Sequence, residues 1–138
     1  MLKDIPQIAV TDIAIAICPV VSTDDLTDEE ELWNVYILNL KQEPIENVIV
    51  SSKGYGSYKG ETVKTSTLRQ FLGTIEGNNF TMVEAIQKKV FGLNNEYWVS
   101  FYIGKEIFDK KFIFLPETIS EEYFTSIPLI NERGVMIR

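Results

Sequence analysis

The sequence contains no histidine and a single cysteine among its 138 residues. Serine–histidine–aspartate and cysteine–histidine catalysis both need an imidazole base, so neither mechanism is open to this chain. The common zinc sites are excluded as well, because their ligands are mainly histidine and cysteine. The lone Cys18 cannot form an internal disulfide, and its place in an apolar run predicts a small, buried hydrophobic side chain.

Long hydrophobic runs and phosphate-binding motifs are also missing. The longest apolar stretch, residues 13–21, is about half of the roughly 20 residues that a helix needs to cross a membrane. Asp4 and Asp12 lie where a secretory leader would carry basic residues, so we expect a cytoplasmic protein without membrane contact. The P-loop pattern does not occur, and the glycines of residues 54–60 are spaced one residue too long for the dinucleotide fingerprint. We therefore expect no cofactor.

Basic charge is sparse, and acidic charge is concentrated at the front of the chain. Residues 1–33 hold eight acids and one base, a net charge of −7, whereas residues 34–138 hold twelve of each, a net charge of zero. Because nucleic-acid binding depends on a dense basic face, a nucleic acid is not the expected partner.

An acidic loop is predicted over residues 22–31. Its carboxylates are oxygen ligands of the kind that Ca²⁺ and Mg²⁺ prefer, and Asp24, Asp25 and Asp28 are the candidate metal ligands. The spacing does not match the EF-hand loop, so the main expectation is a solvated acidic loop with no metal.

What the sequence does contain is typical of one folded domain, spanning residues 1–138. Apolar residues make up 45% of the chain and aromatic residues 12%, which predicts a packed core. The aromatic residues of 97–114 belong to that core, or form an oligomer or partner surface where they are exposed.

Alternation with a period of two predicts strands rather than helices. Isoleucine recurs at positions 13, 15 and 17, and Trp33, Val35 and Ile37 share one face of the next run. Hairpins are predicted over residues 33–52 and 97–115. Short strands at near-regular spacing predict an all-β fold, a single-domain antiparallel β-sandwich (Ig-like) of about seven strands.

Residues 79–91 fit two structures. A capping box at residues 81–84, followed by Met82, Ile86 and Val90 at intervals of four, is typical of a helix. Met82 and Ile86 also fit one face of a strand, and the strand-rich context favours that interpretation. The alternative is an α+β fold with one helix near 79–91.

The glycine-rich stretch 53–69 is the candidate binding site, and we expect a loop there. Backbone amides freed by glycine, together with basic and aromatic side chains, can hold a phosphate or stack a base. The alternative is a flexible connection between strands without a ligand. The candidate ligand-binding residues are Lys53, Tyr55, Tyr58, Lys59 and Arg69.

Four phrases carry a resemblance to a known family. They are VSSKGY at 50–55, KTSTLR at 64–69, LNNEYWV at 93–99 and TSIP at 125–128. From residue 33 onward the chain resembles a family of small uncharacterised bacterial proteins, some of which are labelled phenylalanyl-tRNA synthetase alpha subunit. The resemblance implies membership of that family. It implies no synthetase activity, because Arg69, Arg133 and Arg138 are the only arginines and cannot form the ATP site of a class II synthetase.

These observations favour a non-enzymatic β-sandwich that acts as a binding or protein-interaction module. Its expected partner is a protein or a small ligand, and a homo-oligomer is a further expectation. The alternative function is an accessory protein that contacts tRNA or a nucleotide phosphate through residues 53–69.

Overall fold

The chain is built almost entirely from short antiparallel strands. The structure, a computed structural model, describes residues 9–20 and 30–138. The strands are β1 (Ile13–Pro19), β2 (Leu32–Asn39), β3 (Ile45–Tyr58), β4 (Glu61–Lys64), β5 (Leu68–Ile75), β6 (Asn79–Gln87), β7 (Asn94–Ile103), β8 (Glu106–Phe114), β9 (Thr125–Ile127) and β10 (Glu132–Ile137). Short 3₁₀ turns occupy Lys88–Val90 and Glu121–Tyr123.

The strands form two sheets. The first sheet has the order β6-β2-β1-β10-β9, and the second has the order β4-β3-β7-β8, with β5 also paired to β3. The predicted all-β antiparallel sandwich is confirmed. The described residues hold ten strands rather than about seven, because residues 61–76 divide into β4 and β5 and the C-terminal region adds β9 and β10.

The alternating pattern explains which side chains form the core. In the first sheet the isoleucines of β1 and the residues Trp33, Val35 and Ile37 of β2 face the second sheet. Each fully buried aliphatic side chain of this kind contributes about 1.5–3 kcal/mol. The opposite face of β1 carries Cys18 among small residues, and its 1% exposure confirms the predicted buried hydrophobic role.

The predicted hairpin over residues 33–52 is wrong. β2 pairs with β1 and β6 in the first sheet, whereas β3 pairs with β4, β5 and β7 in the second. The buried Asn39 holds the crossing, because its Nδ2 donates to the carbonyls of Glu43, Ile75 and Glu76 at 2.9–3.2 Å. Its Oδ1 accepts from the amide of Lys41 at 3.1 Å. One side chain therefore ties two sheet-to-sheet connections together.

Residues 79–87 form strand β6, as the preferred interpretation expected, and the alternative helix near 79–91 is wrong. β6 pairs with β2 along its length, from Asn39 opposite Asn79 to Leu32 opposite Gln87. This pairing outweighs the local helical pattern. Within the segment 79–91, Lys88–Val90 alone turn as a 3₁₀ helix.

The second predicted hairpin is confirmed as β7 and β8. Ile103 pairs with Glu106, which leaves Gly104 and Lys105 as a two-residue turn. The positive φ of Gly104, 61°, matches the tight hairpin turn that has glycine at its first central position.

The glycine-rich stretch 53–69 forms strands joined by a turn, and not the predicted loop. β3 continues to Tyr58, and Lys59 and Gly60 turn the chain into β4. The physical reason is packing, since a Cβ added at Gly54 would lie 3.2 Å from Thr65 Cγ2 and 3.4 Å from Leu93 Cδ1. Glycine thus lets β3 run close to its neighbours.

None of the helical turns in residues 9–20 and 30–138 has the length and hydrophobicity that crossing a membrane requires.

Candidate functional site

The structure brings some of the sequence-predicted site residues together and separates others. Lys53 and Tyr55 lie two positions apart on β3, on the outer face of the second sheet. Arg69 lies on β5 and its Nε donates to Ser51 Oγ at 3.4 Å. Lys59 lies in the exposed turn beyond β3. The side chain of Tyr58 falls outside the described part of the structure.

Glu96 is the centre of the group that contains Lys53 and Tyr55. Although it sits on the outer face, Glu96 is only 6% exposed. Its Oε2 lies 3.7 Å from Lys53 Nζ, and its Oε1 lies 4.0 Å from Lys111 Nζ. The Tyr55 hydroxyl donates to Oε1 at 3.3 Å. Desolvation, followed by the charge and hydrogen bond of Glu96, raises the pKa of Tyr55 above its usual value.

This arrangement limits what the predicted site can do. Lys53 and Lys111 already face a carboxylate, so an arriving phosphate would have to compete with Glu96 for both bases. The side chains of this cluster satisfy one another on the surface of the sheet, through two ion pairs and one hydrogen bond to Glu96.

A different site lies between the sheets, where β6 faces β3, β4 and β7. It consists of two adjoining cavities of about 900 and about 170 Å³ that share Thr65 and Val90 in their walls. The larger cavity by itself falls in the volume range of small-molecule sites. We call it the inter-sheet cleft. The apolar walls of the larger cavity are Trp33, Val63, Val90, Phe91, Leu93 and Ile119.

A β-bulge aims an acidic side chain into the smaller cavity. Tyr36 pairs with Met82 and Val35 pairs with Glu84, so Val83 is the extra residue in β6. Because of the bulge, Val83 joins the core and Glu84 also reaches the interior. Bulges commonly re-aim side chains in this way near binding sites.

The carboxylate of Glu84 meets a buried tyrosine of the opposite sheet. The Tyr97 hydroxyl donates to Glu84 Oε2 at 3.0 Å, and Tyr97 is only 2% exposed. Burial, followed by the charge of Glu84 and this hydrogen bond, raises the pKa of Tyr97 well above its usual value. The phenol therefore stays a hydrogen-bond donor up to strongly alkaline pH.

Hydrogen bonds to backbone carbonyls hold the turn at residues 88–93, which forms one wall of the cleft. Asn95 Nδ2 donates to the carbonyls of Val90 and Leu93 at 3.0 and 3.1 Å. The amide of Glu117 donates to the carbonyl of Phe91 at 2.9 Å. These bonds fix the turn against β7 and against the segment after β8, so the wall is built before any ligand arrives.

Trp33 supplies the other main wall. Its ring meets Phe91 edge-on at 5.0 Å and Phe124 at 5.7 Å between centroids. Its indole Nε1 is buried and has no hydrogen-bond partner among the residues that the structure describes. A buried donor without a partner lowers the stability of the fold by about 1–3 kcal/mol and is uncommon in native structures.

Sequence reasoning missed Glu84 and Tyr97 as a pair. Glu84 fits a helix capping box and Tyr97 fits an ordinary core aromatic, so neither signalled a site. The candidate metal ligands Asp24, Asp25 and Asp28 lie outside the described residues. Within the described ranges, no group of three or more acidic or cysteine side chains is arranged to hold a metal ion.

Comparison with known proteins adds little to this geometry. No protein-family model matches the chain, and no curated protein matches it. Among solved structures, the chain is similar to one described as "X-ray structure of Northeast Structural Genomics Consortium target SoR45". The TM-score is 0.42 and the identity 13%, over 80% of this chain and 91% of that chain. A similarity at this level assigns neither a family nor a function.

Proposed function

We propose that the protein is a non-enzymatic binding module that takes a small molecule into the inter-sheet cleft. The observation that carries the proposal is the Glu84–Tyr97 hydrogen bond, a polar pair in the wall of the smaller cavity, which adjoins the apolar side chains of the larger one. Apolar walls with a few convergent polar groups are typical of small-molecule sites.

The polar end of the cleft favours a ligand that donates hydrogen bonds. Tyr97 occupies one lone pair of Glu84, and an ionised carboxylate can accept several more bonds. The larger cavity adds three carboxylates at Glu31, Glu117 and Glu121 against two basic side chains at Lys88 and Lys89. The smaller cavity also contains Lys53, whose ammonium group is paired with Glu96 on the outer face. We infer that the ligand has an apolar body and a positively charged or neutral donor head, such as a primary ammonium group.

Two probes of similar size separate this chemistry from simple hydrophobic binding. We expect 2-phenylethylamine to shift the backbone amide resonances of residues 63–65, 84 and 91–97 in a ¹H–¹⁵N titration. We expect 3-phenylpropanoate to shift them much less, because its carboxylate would face Glu84. Equal shifts with both probes would support an apolar cleft without the proposed selectivity.

A matched pair of variants tests whether the cleft is the site. Val63 lines the larger cavity, whereas its neighbour Thr62 is exposed and is not among the lining residues. We expect Val63→Trp to abolish the amine-induced shifts by filling the cleft, and Thr62→Trp to retain them. Loss of the shifts in both variants, or in neither, would place the amine elsewhere.

Contact with tRNA or a nucleotide phosphate has weaker support. This alternative needs basic side chains that can contact a phosphate. Lys53, one of those on the outer face, is already paired with Glu96. Filter binding across salt concentrations tests it, since phosphate contacts lose affinity steeply as salt rises. The sequence resemblance supports a bacterial origin, and a cytoplasmic location remains a proposal from the sequence.

A further inference from the structure

The outer face of the second sheet exposes an unusual amount of apolar surface. Phe71 is 66% exposed, Ile107 61%, Trp98 47% and Tyr102 37%. Trp98, Tyr102 and Ile107 lie on the adjacent strands β7 and β8, with Tyr102 opposite Ile107. Phe71 lies further across the same face on β5, opposite the half-buried Ile49 of β3. In an antiparallel sandwich the solvent face is normally polar, and contiguous apolar patches mark interaction surfaces.

Charge on this face is polarised along the strands. Glu46 pairs with Tyr102 near one end, and Asp109 pairs with Ser100 in the next row. Toward the other end, Lys111 pairs with Trp98, and Lys53 pairs with Glu96. Directly paired residues share a face of the sheet, so Glu46 and Asp109 lie at one end of it. At the other end the bases Lys53 and Lys111 surround the single carboxylate of Glu96, which leaves that end with a net positive charge.

We propose that this outer face binds a second copy of the chain in a twofold dimer whose axis crosses the strands. Such an axis reverses the strand direction, so the acidic end of one copy lies over the basic end of the other. An axis parallel to the strands would instead place β5 over β8, and Arg69 would meet the second copy's Lys111. Charge complementarity thus selects one of the two arrangements.

The dimer goes beyond the small-molecule function and is independent of it. Apart from Lys53, which also borders the smaller cavity, the residues that line the cleft are not those of the outer face that the dimer uses. Each copy keeps its own cleft, so either proposal can fail while the other holds.

Sedimentation velocity over a wide range of protein concentration tests the dimer. We expect a reversible monomer–dimer equilibrium, with Phe71→Lys weakening the dimer about tenfold or more. The matched control is Phe80→Lys, since Phe80 is 41% exposed on the edge strand of the other sheet. We expect this control to dimerise like the unmodified protein.

The charge arrangement has its own test in the same experiment. We expect Asp109→Lys to weaken the dimer, and added salt to weaken the unmodified dimer more than the Asp109→Lys dimer. A monomer at every concentration would overturn the proposal, as would a larger assembly, because a twofold face closes at two copies. An equal effect of Phe71→Lys and Phe80→Lys would also overturn it. Stronger association of Asp109→Lys would reject the proposed axis.

Discussion

The Tyr97 hydroxyl donates a 3.0 Å hydrogen bond to Glu84 Oε2, joining an inner strand of the second sheet to the edge strand of the first. The two residues are 13 positions apart in the chain. Their contact depends on the bulge at Val83, which turns the carboxylate toward the interior. The bond therefore bridges the two sheets and also places a polar pair in the wall of the smaller cavity.

Tyr97→Phe removes this bridge without emptying the space that the ring fills. We expect a loss of about 1–2 kcal/mol in the free energy of unfolding, because Glu84 loses its partner in a partly buried place. Urea unfolding measures the change. The matched control is Tyr102→Phe, since Tyr102 is 37% exposed on the outer face. A loss as large in the control would show that the effect is not due to the bridge.

Stability at alkaline pH gives an independent test of the same pair. The pKa of Tyr97 is raised above its usual value of 10.0, so the native state holds the phenol proton more tightly than the unfolded state does. The resulting stability is fully present below pH 10 and is lost as the pH rises toward the native pKa. We expect the unfolding free energies of the unmodified protein and Tyr97→Phe to converge above pH 10. Parallel curves would contradict the assigned cause.

Cys18 is expected to be inert in the native protein. Burial, followed by the charge and hydrogen bond of Glu132, raises the pKa of its thiol from 9.0 to about 11. Since the thiolate is the reactive form, a disulfide reagent at neutral pH should react only as the protein unfolds. The control is Ser57→Cys, whose introduced thiol lies at an exposed position and should react at once. Immediate reaction of two thiols in that variant would contradict the buried position of Cys18.

Asn39 should be far more important for stability than its neighbour Asn79. Asn39→Ala leaves the carbonyls of Glu43, Ile75 and Glu76 without their donor in a buried corner, and we expect a loss of about 3 kcal/mol. Asn79 pairs with Asn39 in the sheet but is exposed, with one bond of 3.0 Å to Gly77. Thermal unfolding of Asn79→Ala should show a much smaller change. Equal losses would mean that the corner bonds do not hold the sheets.

The fold class could be predicted because alternation is a local property of each strand. The isoleucines of β1 and the alternating residues of β2 mark one buried face without any knowledge of the partner strands. Strand pairing was harder to predict. β2 and β3 fit a hairpin because they are adjacent in sequence, but they pair with different partners in different sheets. The buried bonds of Asn39 hold the chain where it crosses between the sheets.

The candidate site could be predicted only in part. Lys53 and Tyr55 do share one face, as their spacing of two on a strand requires, but Glu96 reaches them from β7, a distant segment of the sequence. Glu84 and Tyr97 could not be paired from the sequence. A bulge adds one residue to a strand and reverses the inward and outward pattern, and nothing in the single sequence marks its position.

Calorimetric titration of 2-phenylethylamine into the unmodified protein and into Glu84→Gln tests the central claim most directly. The amide keeps the size of the side chain and can still accept from Tyr97, but it removes the charge that would hold the ammonium group. We expect binding to the unmodified protein and about tenfold or greater weakening in Glu84→Gln. Equal affinity in the two proteins, or no binding to either, would contradict a cleft that recognises its ligand through Glu84.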